Sequence, residues 1–366
     1  MKNFDNASTT KISENSLKTY VEASEQYYNP SSLYLPASKS KLLLEEARNC
    51  IMKYLKAKQG STLIFTGCAT ESNNAVLKSC ITRKDKNYIV SAGEHSSIYA
   101  TAKNMLEQGF DIRFCPLKPN GQVDEQKLFD MVDDKTAFVS IIHVSNETGA
   151  INDINKIASE LKRKNKNLLF HSDGVQAIGK LKIDLSDIDF YTISAHKING
   201  PKGIGALYIA NSNKFKPFLL GGGQENNLRA GTENLPAICA FVTAIKDLKL
   251  HDYSLHKAEI LKNLTGDYVL VSDSSCVDNI ISVCFKGVRG ETIEHQLESK
   301  GYLIGTGSAC NSKAGLNRVL APIVPKDYIE GAIRISFADD VSLEDCKNLA
   351  TELSKATKEY VQRIRK

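Results

Sequence analysis

Between residues 61 and 209, apolar runs of strand length alternate with amphipathic runs of helix length. This order limits the possible folds more than any other feature of the chain. Ser61–Phe65, Lys86–Val90, Phe110–Cys115, Ala137–Val144, Leu168–Phe170 and Phe190–Ile193 read as strands. Thr70–Ser79, Ser97–Gln108, Glu125–Met131 and Ile151–Asn165 read as the helices between them. A regular strand-then-helix order implies an α/β fold with a mostly parallel central sheet flanked by helices. Such sheets bind ligands beyond the carboxyl ends of their strands. His95, Asn146, Asp173 and Lys197 each fall just past a predicted strand.

The flanking segments differ. Residues 1–12 read as irregular, Tyr27–Ala37 as a loop and Ser40–Leu55 as an amphipathic helix. GGGQENNLRAGTEN, from Gly221, reads as a flexible polar segment, followed by an apolar helix over Leu235–Leu248. From about Tyr253 the pattern predicts a smaller α/β domain. It has a helix ending at Leu264, strands at Tyr268–Leu270, Ile280–Phe285 and Ile333–Phe337, and helices at Thr292–Lys300 and Leu343–Arg365. Gly305–Ala309 reads as a small-residue loop leading to Cys310.

Bulk properties exclude several classes. At 366 residues, 42% hydrophobic and 24% charged, the chain suits two packed domains. No run of 18 apolar residues predicts a membrane span, and MKNFDNASTT lacks the apolar core of a secretion signal. The net charge of +5 is scattered, without a basic stripe interleaved with aromatics, so no direct nucleic-acid contact is expected. Nine cysteines without a signal point to a reducing, cytoplasmic setting, and the lack of CxxC spacing argues against a metal site. Eight of them are expected to be small buried hydrophobes. Cys310 sits in GTGSACNSK, too small and polar for a core, and reads as an exposed nucleophilic thiol.

Lys197 lies in SAHKINGPKG, after one strand, and Asp173 in HSDGVQAIGK, after its neighbour. A carboxylate that keeps a pyridine nitrogen protonated, beside a lysine that tethers an aldehyde, is the minimum for pyridoxal phosphate chemistry. His95 could lie over the cofactor ring or be satisfied by backbone. Gln176 and Asn146 could bond a ring oxygen, and Asn146 reads equally as a turn residue. TGCAT, before Thr70, is a strand–turn–helix corner that could hold a phosphate on free N–H groups, or an ordinary corner capped by Thr70.

Ordered blocks then carry a resemblance. DNASTT at Asp5, NPSS at Asn29, FTGCATESNN at Phe65, EHSSI at Glu94, HVSNETG at His143, HSDGVQAIGK at His171 and SAHKINGPKGIGALY at Ser194 are followed by GGGQENNLRAGTEN at Gly221, GSAC at Gly307 and RIS at Arg334. The chain resembles the cysteine desulfurases, fold-type I pyridoxal 5'-phosphate enzymes of the class V aminotransferase group, and GSAC resembles their longer-loop class. The resemblance implies a large cofactor domain over residues 13–245. A small domain would comprise 1–12 and 246–366, with a mobile cysteine loop at about 304–322. Lys197 would bind the cofactor covalently, Asp173 its ring nitrogen and Gln176 its ring oxygen, and His95 would stack on the ring and move protons. Ala69, Thr70, Ser194 and His196 would hold the phosphate, with Thr232 reaching that of a neighbouring subunit, so a homodimer would share its sites. Asn146, also a cofactor contact, and Arg334 would hold the carboxylate of L-cysteine, an expectation the guanidinium fork supports independently; the alternative for Arg334 is a surface ion pair with Asp339. Cys310 would take the sulfur as a persulfide, release L-alanine and pass the sulfur to an acceptor protein of iron–sulfur cluster assembly or transfer-RNA thiolation. An aminotransferase or lyase for another amino acid, selenocysteine included, is the alternative within the group.

Some positions depart from the family's pattern: Tyr34, Pro36, Ala37, Gly67-Cys68, Ser145, Asn199, Asn226 and the run Lys313–Val319. They cluster on loops expected to shape the entrance and the partner surface, which implies a divergent paralogue dedicated to one acceptor.

Overall fold

The computed structural model of the chain describes residues 1–306 and 317–364. Strand β1 (Lys2–Phe4) opens the chain, followed by α1 (Glu14–Ser24) and α2 (Leu35–Tyr54). The predicted alternation then follows: β2 (Thr62–Thr66), α3 (Ala69–Cys80), β3 (Asn87–Ser91), α4 (Ser96–Glu107), β4 (Asp111–Cys115), α5 (Glu125–Met131), β5 (Thr136–Ser140), α6 (Ile154–Lys164), β6 (Leu169–Asp173), β7 (Phe190–Ser194) and β8 (Gly205–Ile209). The remainder is α7 (Leu235–Asp247), α8 (Ser254–Asn263), β9 (Tyr268–Leu270), β10 (Ile280–Phe285), α9 (Gly290–Glu298), β11 (Tyr302–Thr306), α10 (Lys326–Ile329), β12 (Ala332–Ser336) and α11 (Leu343–Ile364).

Seven strands form one sheet in the order β2-β8-β7-β6-β5-β3-β4. Strands β3 to β7 are parallel, and β8 runs opposite to both its neighbours, β2 and β7. The sheet is therefore mostly parallel, and the carboxyl ends of β2, β3, β5, β6 and β7 share one edge. Buried apolar clusters cover both faces: one joins Ile51, Phe170, Tyr191 and Phe241, the other Val76, Ile98, Phe138 and Phe190. Local signals set the helix starts. Asp124, Asp153 and Asn234 each accept a first-turn N–H of α5, α6 and α7.

A second sheet, β1-β11-β12-β10-β9, packs α8, α9 and α11 around Phe4, Ile293, Phe337 and Leu353. Two of its strands escape sequence reading. Residues 2–4 form a strand parallel to β11, and Gly305, expected in a loop, lies inside β11 opposite Arg334. Helix α2 begins at Leu35, inside the expected loop, because Pro36 falls in its first turn, where the missing N–H breaks no helical bond. Strand β5 stops at Ser140, short of the expected Val144.

The GGGQENN segment is also tighter than its composition implies. Glu225 is buried, and its carboxylate meets Arg48 at 2.7 Å and accepts from Phe65 N–H at 2.9 Å. Glu225, Asn226 and Asn227 all take positive φ to bring it there. Among the described cysteines, Cys115, Cys276, Cys284 and Cys346 are buried as expected, with thiols pushed up to about 11 or 12 by burial. Cys68 corrects that expectation: it is exposed at the start of α3. No helix among the described residues is long and apolar enough to cross a membrane.

Candidate active site

Asp173, His95 and Lys197 lie at or just past the carboxyl ends of β6, β3 and β7 in the large sheet. Asp173, the last residue of β6, is 3% exposed, and no ion pair to it is found among the described residues. Its Oδ2 accepts from Asn73 Nδ2 at 2.8 Å and its Oδ1 from Val175 N–H at 3.0 Å. Asn73, fully buried on α3, also donates to Ser97 Oγ at 2.9 Å, and Ser97 Oγ lies 2.8 Å from His95 Nδ1. One hydrogen-bonded line thus runs from Asp173 through Asn73 and Ser97 to His95.

His95 is the N-cap of α4, and its Nδ1 accepts from Ser97 N–H at 3.2 Å. This contact assigns the ring hydrogen to Nε2. Burial lowers the His95 pKa, opposed by the Asp173 carboxylate and assisted by the charge of Lys197, so these three groups lie within one another's field. Glu94 beside it is 1% exposed, with both carboxylate oxygens fully buried. Burial first, then the Asp173 charge, raises its pKa well above the usual range. The backbone carbonyls of Ala92 and Glu94 accept from Arg318, whose guanidinium stacks 3.8 Å from the Tyr99 ring centroid.

Lys197 ends the short turn after β7. Its Nζ donates to the carbonyls of Ala7 and Ser8, each at 2.7 Å. Those residues belong to the DNASTT segment, which leaves the small sheet and straps the lysine turn. Thr10 N–H donates to His196 O at 2.9 Å, and Asn199 N–H to Thr10 Oγ1 at 2.7 Å. Asn199 has φ +62°, a conformation asparagine tolerates better than larger side chains do. Gln176, 3% exposed, donates to Ala7 O at 2.8 Å.

The same strap reaches Arg334. Its Nη2 meets Asp5 Oδ1 at 2.8 Å and Ser8 Oγ at 2.6 Å, and its Nη1 donates to Asn146 O at 2.8 Å. The alternative partner Asp339 is corrected here: it accepts from Tyr253 instead. Arg334 Nε is buried without a hydrogen-bond partner among the described residues. A Cβ at Gly305 would come within 2.6 Å of Asp5 Oδ1 and 3.2 Å of Arg334 Nε, so only glycine leaves that place open. The Asn146 side chain donates to Glu147 at 3.0 Å.

At the TGCAT corner, Cys68 is the N-cap of α3, and Ala69 and Thr70 form its first turn. Thr70 is therefore not the cap, and it is exposed. First-turn N–H groups lack helical acceptors and point toward any anion at the helix start. A Cβ at Gly205 would lie 2.9 Å from Cys68 C and 3.0 Å from Ala69 N, so glycine lets β8 back the corner closely. Ser194 is buried at the end of β7, and His196 Nδ1 lies 3.2 Å from Thr9 Oγ1. Burial, with Lys197 nearby, lowers the His196 pKa to about 4. Thr232 is exposed and lines a 210 Å³ recess with Thr66, Gly67 and Arg229 of its own chain. Cys310 lies outside the described residues.

These residues fit pyridoxal 5'-phosphate: a buried carboxylate with no ion pair among the described residues, a lysine on the adjacent strand end, and a helix N-terminus with a glycine-backed corner. Asn73, Ser97, Glu94 and Arg318 were not singled out in the sequence; ESNN and EHSSI contain three of them, but only the fold shows that they face one another.

The aminotransferase class-V family matches residues 2–349. Cysteine desulfurase 2 of Trichormus variabilis is 33% identical over 350 residues, covering 91% of this chain and 87% of that protein. The solved structure of a NifS-like protein superposes with a TM-score of 0.88 at 30% identity, covering 98% of this chain and 99% of the other. SspA in complex with cysteine gives a TM-score of 0.83 at 28% identity, over 92% and 99%. With the site's geometry, these matches place the chain in the class V aminotransferase family, among the pyridoxal 5'-phosphate-dependent cysteine desulfurases.

Proposed function

We propose that the chain is a cysteine desulfurase that converts L-cysteine to L-alanine and carries the sulfur on Cys310 to an acceptor protein. The observation that carries this reading is the hydrogen-bonded line from Asp173 through Asn73 and Ser97 to His95, with Lys197 just past the end of the adjacent strand. A relative named for the activity and a structural neighbour solved with cysteine support the substrate class.

When bound, pyridoxal 5'-phosphate supplies an electron sink that weakens bonds at the substrate's α-carbon and the C–S bond beyond it. Lys197 would exchange its two carbonyl acceptors for a covalent bond to the cofactor aldehyde. Asp173, fixed by Asn73 and Val175, would hold a proton on the ring nitrogen, and Gln176 would reach the ring oxygen. Ala69, Thr70, Ser194 and His196 would surround the phosphate, with Thr232 reaching the phosphate held by a second copy in a homodimer. His95 would stack on the ring and hold the mobile proton at Nε2.

Asn146 and Arg334 would hold the substrate carboxylate, and Arg334 Nε supports this as a buried donor with no acceptor among the described residues. The Cys310 thiolate would then attack the substrate sulfur. An S–S bond forms as the C–S bond breaks, and the carbon takes up a proton to leave as alanine. Residues 13–245 would form the cofactor domain, and 1–12 with 246–366 the domain bearing Cys310. A cytoplasmic setting suits this thiol chemistry, with the acceptor deciding between cluster assembly and thiolation.

Incubation with L-cysteine tests the reading. Alanine should appear, and the Cys310 peptide should gain one sulfur atom. Cys310→Ser should keep the cofactor's visible absorption but yield neither persulfide nor sulfide. Unchanged sulfur release by Cys310→Ser would favour a lyase instead.

A further inference from the structure

The corner before α3 is braced by two charge pairs whose outer members come from a distant segment. Glu71 lies in the first turn of α3, and its Oε2 reaches back to accept Gly67 N–H at 2.7 Å. Arg229 grips the same carboxylate twice, Nε on Oε1 at 2.8 Å and Nη2 on Oε2 at 3.2 Å. Both side chains are largely buried, 17% exposed for Glu71 and 22% for Arg229. Glu225, on the same segment as Arg229, makes the second brace: it binds Arg48 and accepts the N–H of Phe65, just ahead of the corner. Glu225, Asn226 and Asn227 all take positive φ to reach these points, conformations that residues other than glycine keep only where their surroundings over-determine them.

The braces fix the corner without using up its donors. Glu71 takes the N–H of Gly67, which precedes the cap residue Cys68. The N–H groups of Ala69 and Thr70 belong to the first turn and have no helical acceptor. A carboxylate this close to an anion-binding corner would by itself repel a phosphate. The Arg229 fork offsets that charge and at the same time orients the carboxylate that holds Gly67. Glu233 lines the same recess as Gly67 and Arg229, adding a further acid for the guanidinium to meet. The bond to Glu71 raises the Arg229 pKa against burial, and the charges of Glu225 and Glu233 act in the same direction.

We propose that Glu71 and Arg229 are positioning residues for the cofactor phosphate: Glu71 sets the corner through Gly67 N–H, and Arg229 holds Glu71 in place and cancels its charge, so that the corner accepts an anion. The proposal rests on reading Ala69 and Thr70 as the phosphate end of the cofactor site.

The test compares pyridoxal 5'-phosphate with pyridoxal, which lacks the phosphate, each titrated into the full cofactor-free chain and followed by visible absorption. Arg229→Gln should weaken pyridoxal 5'-phosphate about tenfold and leave pyridoxal within about twofold, because the uncovered Glu71 charge acts on the phosphate alone. Glu71→Gln removes the charge and keeps an amide oxygen for Gly67, so its loss should be only about threefold. The double variant Glu71→Gln/Arg229→Gln should bind pyridoxal 5'-phosphate more tightly than Arg229→Gln alone, a non-additivity expected of groups in contact. Arg229→Met takes the place of Arg229→Gln if the latter does not fold. An equal loss for both ligands would make the pair a general support of the fold and overturn the proposal. Unchanged pyridoxal 5'-phosphate affinity in folded Arg229→Gln, or a double variant no tighter than Arg229→Gln, would overturn it as well. A parent chain that binds pyridoxal as tightly as pyridoxal 5'-phosphate would refute the reading of the corner as the phosphate site, and the proposal with it.

Discussion

The two halves of the site are held in different ways. On one side, Asp173, Asn73, Ser97 and His95 are joined by side-chain hydrogen bonds on elements of a single buried sheet layer. On the other, Lys197 and Arg334 are held by the strap between β1 and α1: the Ala7 and Ser8 carbonyls on the amine, Asp5 and Ser8 Oγ on the guanidinium. The first half is preorganised, and its contacts need not change when a ring nitrogen arrives. The second is exchangeable, because an aldehyde and a carboxylate would take the places now filled by the strap. Fixed groups suit the cofactor ring, which stays, and exchangeable ones suit bonds that must be made and broken as substrate enters and leaves.

The largest effect that would break this contrast is expected at Asn73. Asn73→Ala removes a donor from a buried carboxylate and from Ser97, a loss of about 1–3 kcal/mol. Cofactor affinity should fall about tenfold or more, measured by titrating pyridoxal 5'-phosphate into the cofactor-free variant. Unchanged affinity would mean that the line from Asp173 to His95 is not a preorganised unit.

A smaller effect separates exchange from fixation at Asp5. If Asp5 yields Arg334 to the substrate, Asp5→Asn weakens the competitor by about 1 kcal/mol, the difference between a charged and a neutral hydrogen bond. KM for L-cysteine should then fall about fivefold with kcat unchanged. A rise in KM would make Asp5 a fixed orienting group and move the ion pair into the preorganised half.

The smallest effect concerns stability. Glu94 is buried with a raised pKa, so above the unfolded-state value near 4.5 the folded chain binds the extra proton, and stability falls as pH rises toward the folded pKa. Glu94→Gln keeps the neutral shape and removes that penalty. Its melting temperature should rise a few degrees at pH about 8 and scarcely change at pH about 5. A loss of stability at both values would show a protein contact to an ionised Glu94.

Much of this was legible in the sequence because parallel-sheet chemistry concentrates at strand ends, where short polar blocks interrupt apolar runs. Asp173, Lys197, Gln176 and the TGCAT corner were singled out in that way, and the order of the family blocks joined them. The strap was not legible: residues 2–4 are too short to show strand periodicity, and their partner β11 lies about three hundred residues away. Nor could reading order show that Asn73 faces Asp173, since that contact depends on how α3 lies across the sheet. Gly305 misled for a related reason. Its composition reads as a loop, whereas its missing side chain makes room within a strand for Arg334 and Asp5.

The central claim is that the amine of Lys197 carries the cofactor. Borohydride reduction of the cofactor-loaded protein, followed by peptide mapping, would test it most directly. The account predicts a pyridoxyl group on the peptide containing Lys197 and on no other. Attachment at any residue other than Lys197 would contradict it.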